Sequence, residues 1–176
     1  MDGEQPRVLI VYASRNGSTA EIAGHISGVL SEAGCVATVC PAAEAGRDLD
    51  TYDAVVLGGA LYTGRWHRAA RRFARRFRRE LETRPVWLFS SGPLDASASE
   101  RDIPPVPGVR RLADRIEARG HATFGGRLNE DARGRVAKMI VKSGRGGDFR
   151  DLTQIISWAE GVARDIVPAP SGPGRA

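Results

Sequence analysis

The chain predicts a three-layer α/β sandwich built on a five-stranded parallel sheet in the order 2-1-3-4-5. Three observations lead there: strand-length apolar runs that are nearly continuous instead of alternating, helical-period segments between them, and a length of 176 residues that suits one domain. A strand that is apolar on both faces must be buried on both. Only a parallel sheet covered by helices on each side offers that environment.

Arg7–Ala13 (RVLIVYA) is a short run rich in β-branched residues and forms the first strand. Residues 18–33 then place Ile22, Ile26, Val29, Leu30 and Ala33 at helical spacing, which completes one βα unit. Residues 35–40 form a second strand and residues 53–60 (DAVVLGGA) a third, buried one. Across residues 65–84, Phe73, Phe77 and Leu81 recur at i, i+4 and i+8 among seven arginines from Arg68 to Arg79, as one amphipathic helix with a narrow apolar stripe would require. Residues 85–91 (PVWLFSS) are the fourth strand, residues 92–108 a loop holding four prolines, and Val109, Leu112, Ala113 and Ile116 mark the next helix. Residues 121–128 (HATFGGRL) are the fifth strand. A weaker helical pattern covers residues 131–142, and residues 151–167 carry Leu152, Ile155, Ile156, Ala159, Val162, Ala163 and Ile166 on one face. Residues 1–167 thus read as a single domain, followed over 168–176 by a disordered tail with three prolines and two glycines.

The longest charge-free runs are eleven residues, short of the roughly 18 needed for a membrane span. The first residues carry Asp2 and Glu4 where a secretory leader would be basic and then apolar, so the protein is expected to be cytoplasmic. Cys35 and Cys40 share one short strand and are expected to be reduced, buried and inert. Of the 26 basic residues 24 are arginine, and the net charge is +5, which suits acidic partners or an anionic surface. The arginine helix accommodates two readings, a solvated face or peripheral contact with an anionic membrane. No zinc spacing, RNA-binding signature or aromatic stacking platform accompanies the charge, so neither a metal nor a nucleic acid is expected.

In a doubly wound sheet of this order the ligand lies beyond the carboxyl ends of strands 1 and 3. The loop after strand 1 is Ser14-Arg15-Asn16-Gly17-Ser18-Thr19, running directly into a helix. Hydroxyls and amides at a helix N-terminus suit a phosphate. The loop lacks the G-x-G-x-x-G of dinucleotide folds and the lysine of a P-loop, and no aspartate ends strand 1 or 3 as in a phospho-accepting receiver. A small-residue nest for a phosphate monoester remains, alongside the alternative that Ser18 to Glu21 is only a capping box. The loop after strand 3 (GGALYTGRWH) offers glycines for close backbone approach, with Tyr62 and Trp66 placed to flank a flat ring. Taken singly, Trp66 also reads as a packing residue and His67 as a surface or capping histidine.

These residues resemble the flavodoxin-like family, and more closely its branch of menaquinone-dependent protoporphyrinogen oxidases. The resemblance rests on Ser14 to Thr19 as an S/T-R-[DN]-G-x-T phosphate loop, on Gly59-Ala60 through Gly64-x-Trp66-His67, and on Ser143-Gly144, Asp148-x-Arg150 and Trp158. It implies a flavodoxin-like sandwich that binds FMN non-covalently, with Ser14, Arg15, Asn16, Gly17, Ser18 and Thr19 at the phosphate. Ala60, Leu61, Tyr62, Thr63 and Gly64, with Ser90, Ser91, Gly92, Pro93 and Leu94, would frame the isoalloxazine. It further implies an oxidoreductase of heme biosynthesis that takes a tetrapyrrole substrate and a quinone or redox-protein acceptor. Two alternatives stay open: a one-electron-transfer flavodoxin serving a partner enzyme, and a basic binding module with a vestigial flavin pocket. No side chain stands out as a general base.

Overall fold

The apolar strands assemble into one sheet in the computed structural model, which describes residues 4–92, 97–128 and 147–167. In chain order the elements are β1 (Arg7–Ala13), α1 (Ser18–Glu32), β2 (Val36–Pro41), a 3-10 turn (Leu49–Thr51), β3 (Ala54–Tyr62), β4 (Arg65–Trp66), α2 (Arg68–Arg76) and α3 (Arg78–Glu82). There follow β5 (Val86–Ser91), α4 (Ser97–Glu100), α5 (Pro107–Ile116), β6 (Gly120–Phe124), β7 (Arg127–Leu128), β8 (Gly147–Asp148) and α6 (Leu152–Ile166). The parallel strands run β2-β1-β3-β5-β6, which is the expected 2-1-3-4-5 order.

Alternation along the strands supplies two cores. Val8 and Ile10 of β1 point to one face, where Ile22, Ile26 and Leu30 of α1 meet Ile155 and Val162 of α6. Leu9 and Val11 point to the other, under Phe73 of α2, Leu81 of α3 and Val109 and Ile116 of α5. Each such side chain contributes about 1.5–3 kcal/mol on burial, so both helical layers are held chiefly by these stripes. Trp158 packs edge to face with Phe89 and Phe124, which are tilted against each other, with ring centroids 5.7–6.3 Å apart in the first core.

The structure departs from the sequence pattern at five places, each with a local cause. The main sheet has a sixth strand, β4, antiparallel to the end of β3. Thr63 and Gly64 both take positive φ, 48° and 72°, as a two-residue hairpin turn demands, so the chain folds back before α2 begins. The single arginine helix is two helices: Phe77, at φ −104° and ψ 26°, leaves the helical track. Its ring lies so near Gly46 that a β-carbon there would come within 2.2 Å. The proline-rich loop contains α4 and is fastened down, with Gln154 Nε2 donating to the Ala98 carbonyl at 2.7 Å and Thr123 Oγ1 to the Ile103 carbonyl at 3.0 Å. The fifth strand stops at Phe124, because the Phe149 backbone crosses at Gly125, where a β-carbon would lie 1.8 Å from its carbonyl oxygen. Arg127–Leu128 then pairs separately with Gly147–Asp148. Finally, β2 is an edge strand, which leaves Cys40 only half-buried while Cys35 is buried; burial raises both thiols above their ordinary value, and Glu44 adds to the effect at Cys40.

Pro93, Leu94, the helical candidate over 131–142, Ser143-Gly144 and the tail lie outside the described residues. Among those described, no helix is long and apolar enough to cross a membrane.

Candidate functional site

Register brings the three candidate loops to one edge of the sheet. Ala13 pairs with Gly59, Ala60 with Ser91 and Ser91 with Phe124, so β1, β3 and β5 end at a common level. The loops also touch. The Arg15 amide donates to Tyr62 Oη at 3.0 Å, and the Arg15 guanidinium lies 5.3 Å from the Tyr62 ring centroid. A β-carbon on Gly92 would sit 3.4 Å from Leu61 Cβ, so the loop after β5 abuts the end of β3. Ser14 to Thr19, Ala60 to Gly64 and Ser90 to Gly92 are therefore neighbours in space.

In the first loop Ser14 Oγ accepts the Asn16 amide at 3.3 Å, and Gly17 takes φ 81°, the left-handed region that a β-carbon disfavours. Gly17 is the N-cap of α1 and has no side chain with which to cap the first-turn amides. The possible capping box is not formed. Ser18 Oγ accepts the Arg127 amide at 3.2 Å, while Glu21 pairs with both Arg127 and Arg150. Thr19 is fully buried, and its hydroxyl has no hydrogen-bond partner among the described residues. A buried hydroxyl without a partner costs about 1–3 kcal/mol, a cost that an acceptor at this helix terminus removes. The first-turn amides behind a glycine N-cap, the helix dipole and the Thr19 hydroxyl make a donor set that fits a phosphate monoester.

Arg150 fastens the β7–β8 ribbon to this helix. It reaches Asp148 through Nε to Oδ1 at 2.8 Å and Nη2 to Oδ2 at 2.6 Å, and it also holds Glu21. Its hydrogen bonds hold the carboxyls of Glu21 and Asp148 below their ordinary value, with the charge of Arg127 assisting. The sequence marked Asp148-x-Arg150 only as a motif; its partner Glu21 shows it to be a strap between the β7–β8 ribbon and the first turn of α1.

In the loop after β3 the packing reading of Trp66 and the capping reading of His67 hold, and the ring-flanking reading of Trp66 does not. Trp66 does not flank a ligand ring. It is 3% exposed, and a β-carbon on Gly59 would come within 2.7 Å of its indole. Gly58 likewise makes room for Phe89, so these glycines admit core side chains more than a ligand. Tyr62 is turned to the phosphate loop, with the edge of its ring toward His67 at 5.9 Å. His67 is the N-cap of α2, its Nδ1 accepting the Ala69 amide at 3.2 Å. Burial first, then the charges of Arg15, Arg68 and Arg71, lower its pKa and keep that nitrogen free to accept.

Ser90 is fully buried and committed inward. Trp66 Nε1–H donates to Ser90 Oγ at 2.8 Å, and Ser90 Oγ lies 3.0 Å from His121 Nε2. In the neutral Nδ1–H tautomer Nε2 accepts the serine proton, closing a Trp66–Ser90–His121 chain. His121 escaped notice in the sequence, although two serines ending an apolar strand signal that buried hydroxyls there need partners. Burial lowers the His121 pKa to about 4, against a small opposing effect of Asp102. Because the unfolded chain takes up that proton more readily, stability is complete above about pH 6.5 and declines as pH falls toward 4. Allowing for the partial exposure of the ring, the loss should be about 2 kcal/mol, and His121→Gln should flatten it. Urea unfolding at pH 7 and pH 4.5 measures the difference; an unchanged slope in the variant would contradict the assignment.

Comparisons with known proteins place the chain in a family and agree with its fold. A family model described as a flavodoxin domain matches residues 9–145. The chain is similar to protoporphyrinogen IX dehydrogenase (quinone) of Escherichia coli strain K12, at 29% identity over 85 residues, which cover 48% of this chain and 47% of that protein. The chain thus spans about half the length of the curated relatives it matches. Among solved structures it resembles a flavodoxin from the domain Archaea, with a TM-score of 0.60 and 11% identity over 91% of this chain and 98% of that one. It also resembles rubredoxin oxygen:oxidoreductase of Desulfovibrio gigas, with a TM-score of 0.60 and 11% identity over 93% of this chain and 37% of that one. At such identities the structural matches speak to the fold.

Proposed function

The chain belongs to the flavodoxin domain family, which points to FMN as its cofactor, and on that premise we propose that it is an FMN-dependent oxidoreductase of the protoporphyrinogen dehydrogenase type, oxidising a tetrapyrrole and reducing a quinone-like acceptor. The observation that carries the cofactor site is the fully buried Thr19 hydroxyl, without a partner among the described residues, at a helix N-terminus whose N-cap is glycine. The substrate class is supported by the named relative in Escherichia coli.

FMN, when bound, supplies the hydride or electron exchange. The protein's part is to bind and orient. The first-turn amides of α1 and the hydroxyl of Thr19 donate to the phosphate, and Arg15 adds positive charge. Tyr62 pins the Arg15 backbone and so keeps the phosphate loop against the loop after β3. The backbone at Ala60 to Gly64 and at Ser91 to Gly92 frames the flavin ring, while the hydroxyl of Ser90 and the indole of Trp66 hold the strand ends together from below. Nδ1 of His67 is occupied in capping α2.

The test is turnover. FMN-loaded protein, given protoporphyrinogen and a menaquinone analogue without oxygen, should form fluorescent porphyrin only when the quinone is present. Porphyrin formation no faster than in the protein-free control would contradict the oxidase and leave an electron carrier for a partner enzyme.

A further inference from the structure

Between the α2–α3 pair and α5 lies a groove of about 580 Å³, within the roughly 300–1,000 Å³ of small-molecule sites. Arg71 and Arg75, at i and i+4 on α2, and Arg78 of α3 line it from one side, and Arg111 and Arg115, at i and i+4, answer from α5. Arg65 of β4 closes one end. The floor is apolar, made of Ala74, Val109 and Leu112. Two of the cations are already engaged: Arg71 Nε donates to the Trp66 carbonyl at 3.1 Å, and Arg78 pairs with Glu82 at 3.4 Å. Arg65, Arg75, Arg111 and Arg115 have no carboxylate partner among the described residues. A cavity of this size spans little more than one Debye length of about 8 Å, so their mutual repulsion is not screened away.

We propose that this groove binds a small amphipathic molecule bearing two or more carboxylates on an apolar body. Guanidinium groups on opposite walls give bidentate partners for separated carboxylates, and the floor between them takes the apolar portion. A lone inorganic anion would leave that floor wet, and a flat bilayer surface cannot enter a concave groove. A single-stranded nucleic acid would want aromatic side chains on which to stack its bases, and a duplex is too wide to enter a groove of about 580 Å³. The groove ends at Gly64 to Trp66, directly after the loop assigned to the flavin. Identifying its occupant as the substrate of the redox reaction rests on the proposed function; the binding itself does not.

Mesoporphyrin, a flat apolar ring with two carboxylates, and its dimethyl ester are suitable probes, titrated by fluorescence against the full chain. The diacid should bind and the ester should bind much more weakly. Each lost guanidinium is worth about tenfold, so Arg75→Gln/Arg111→Gln/Arg115→Gln should weaken the diacid at least about a hundredfold. A variant with the same loss of charge outside the groove, Arg68→Gln/Arg72→Gln/Arg110→Gln, should bind nearly as the parent does. Equal losses in the two variants, or equal binding of diacid and ester, would overturn the proposal. So would binding of phosphatidylglycerol vesicles, abolished in the groove variant, with no binding of the diacid. FMN titration of the same samples keeps the two readings apart. FMN bound without mesoporphyrin sinks the groove alone, and mesoporphyrin bound without FMN sinks the flavin site alone.

Discussion

Thr19→Ala should weaken FMN binding at least about tenfold and leave riboflavin, which lacks the phosphate, nearly unaffected. The Thr19 hydroxyl is buried at the N-terminus of α1 without a partner among the described residues, so an FMN phosphate bound there would be its acceptor. A hydrogen bond to a charged group contributes about 1.5–3 kcal/mol, and 1.4 kcal/mol is a factor of ten. Thr19→Val, which keeps the volume, should show the same loss while the ligand-free protein becomes no less stable, because an unsatisfied hydroxyl has been removed. Fluorescence titration with both ligands measures it. Equal weakening of FMN and riboflavin would mean that Thr19 shapes the loop without touching the phosphate.

Gly58→Ala should cost about 3 kcal/mol of unfolding free energy, a large part of the about 5–15 kcal/mol typical of a domain. A β-carbon at Gly58 would stand 2.0 Å from Phe89 Cζ. Phe89 cannot retreat, because it is fully buried against Phe124 and Trp158. Adding Phe89→Leu should therefore cost less in the Gly58→Ala background than in the parent, a coupling that urea unfolding of the four proteins resolves. A loss below about 1 kcal/mol for Gly58→Ala would show that the strand can shift and that this close approach is not what requires glycine.

The order of the sheet was legible because its strands are apolar on both faces, a pattern that few other environments permit. Ser14 to Thr19 could be singled out as a candidate phosphate loop because its chemistry is local: hydroxyls, a left-handed glycine and a helix start all follow one another in the chain. What escaped were the pairings between distant segments. Nothing near Glu21 announces Arg127 or Arg150, and nothing near Ser90 announces Trp66 or His121. Trp66 illustrates the difficulty. An aromatic residue beside glycines suits a ligand ring and a tight core contact equally well, and only the register of β3 against β4 decides for the core. The arginine groove was half visible, since α2 showed its cationic face but α5 had to fold opposite before the charges shared a cavity.

The central claim, that the edge formed by β1, β3 and β5 is an FMN site, is tested most directly by the visible absorbance spectrum of the purified protein during titration with FMN. Saturation at one FMN per chain, with the shifted bands of a ring removed from water, is the predicted result. Bands that stay those of free FMN throughout the titration would contradict it.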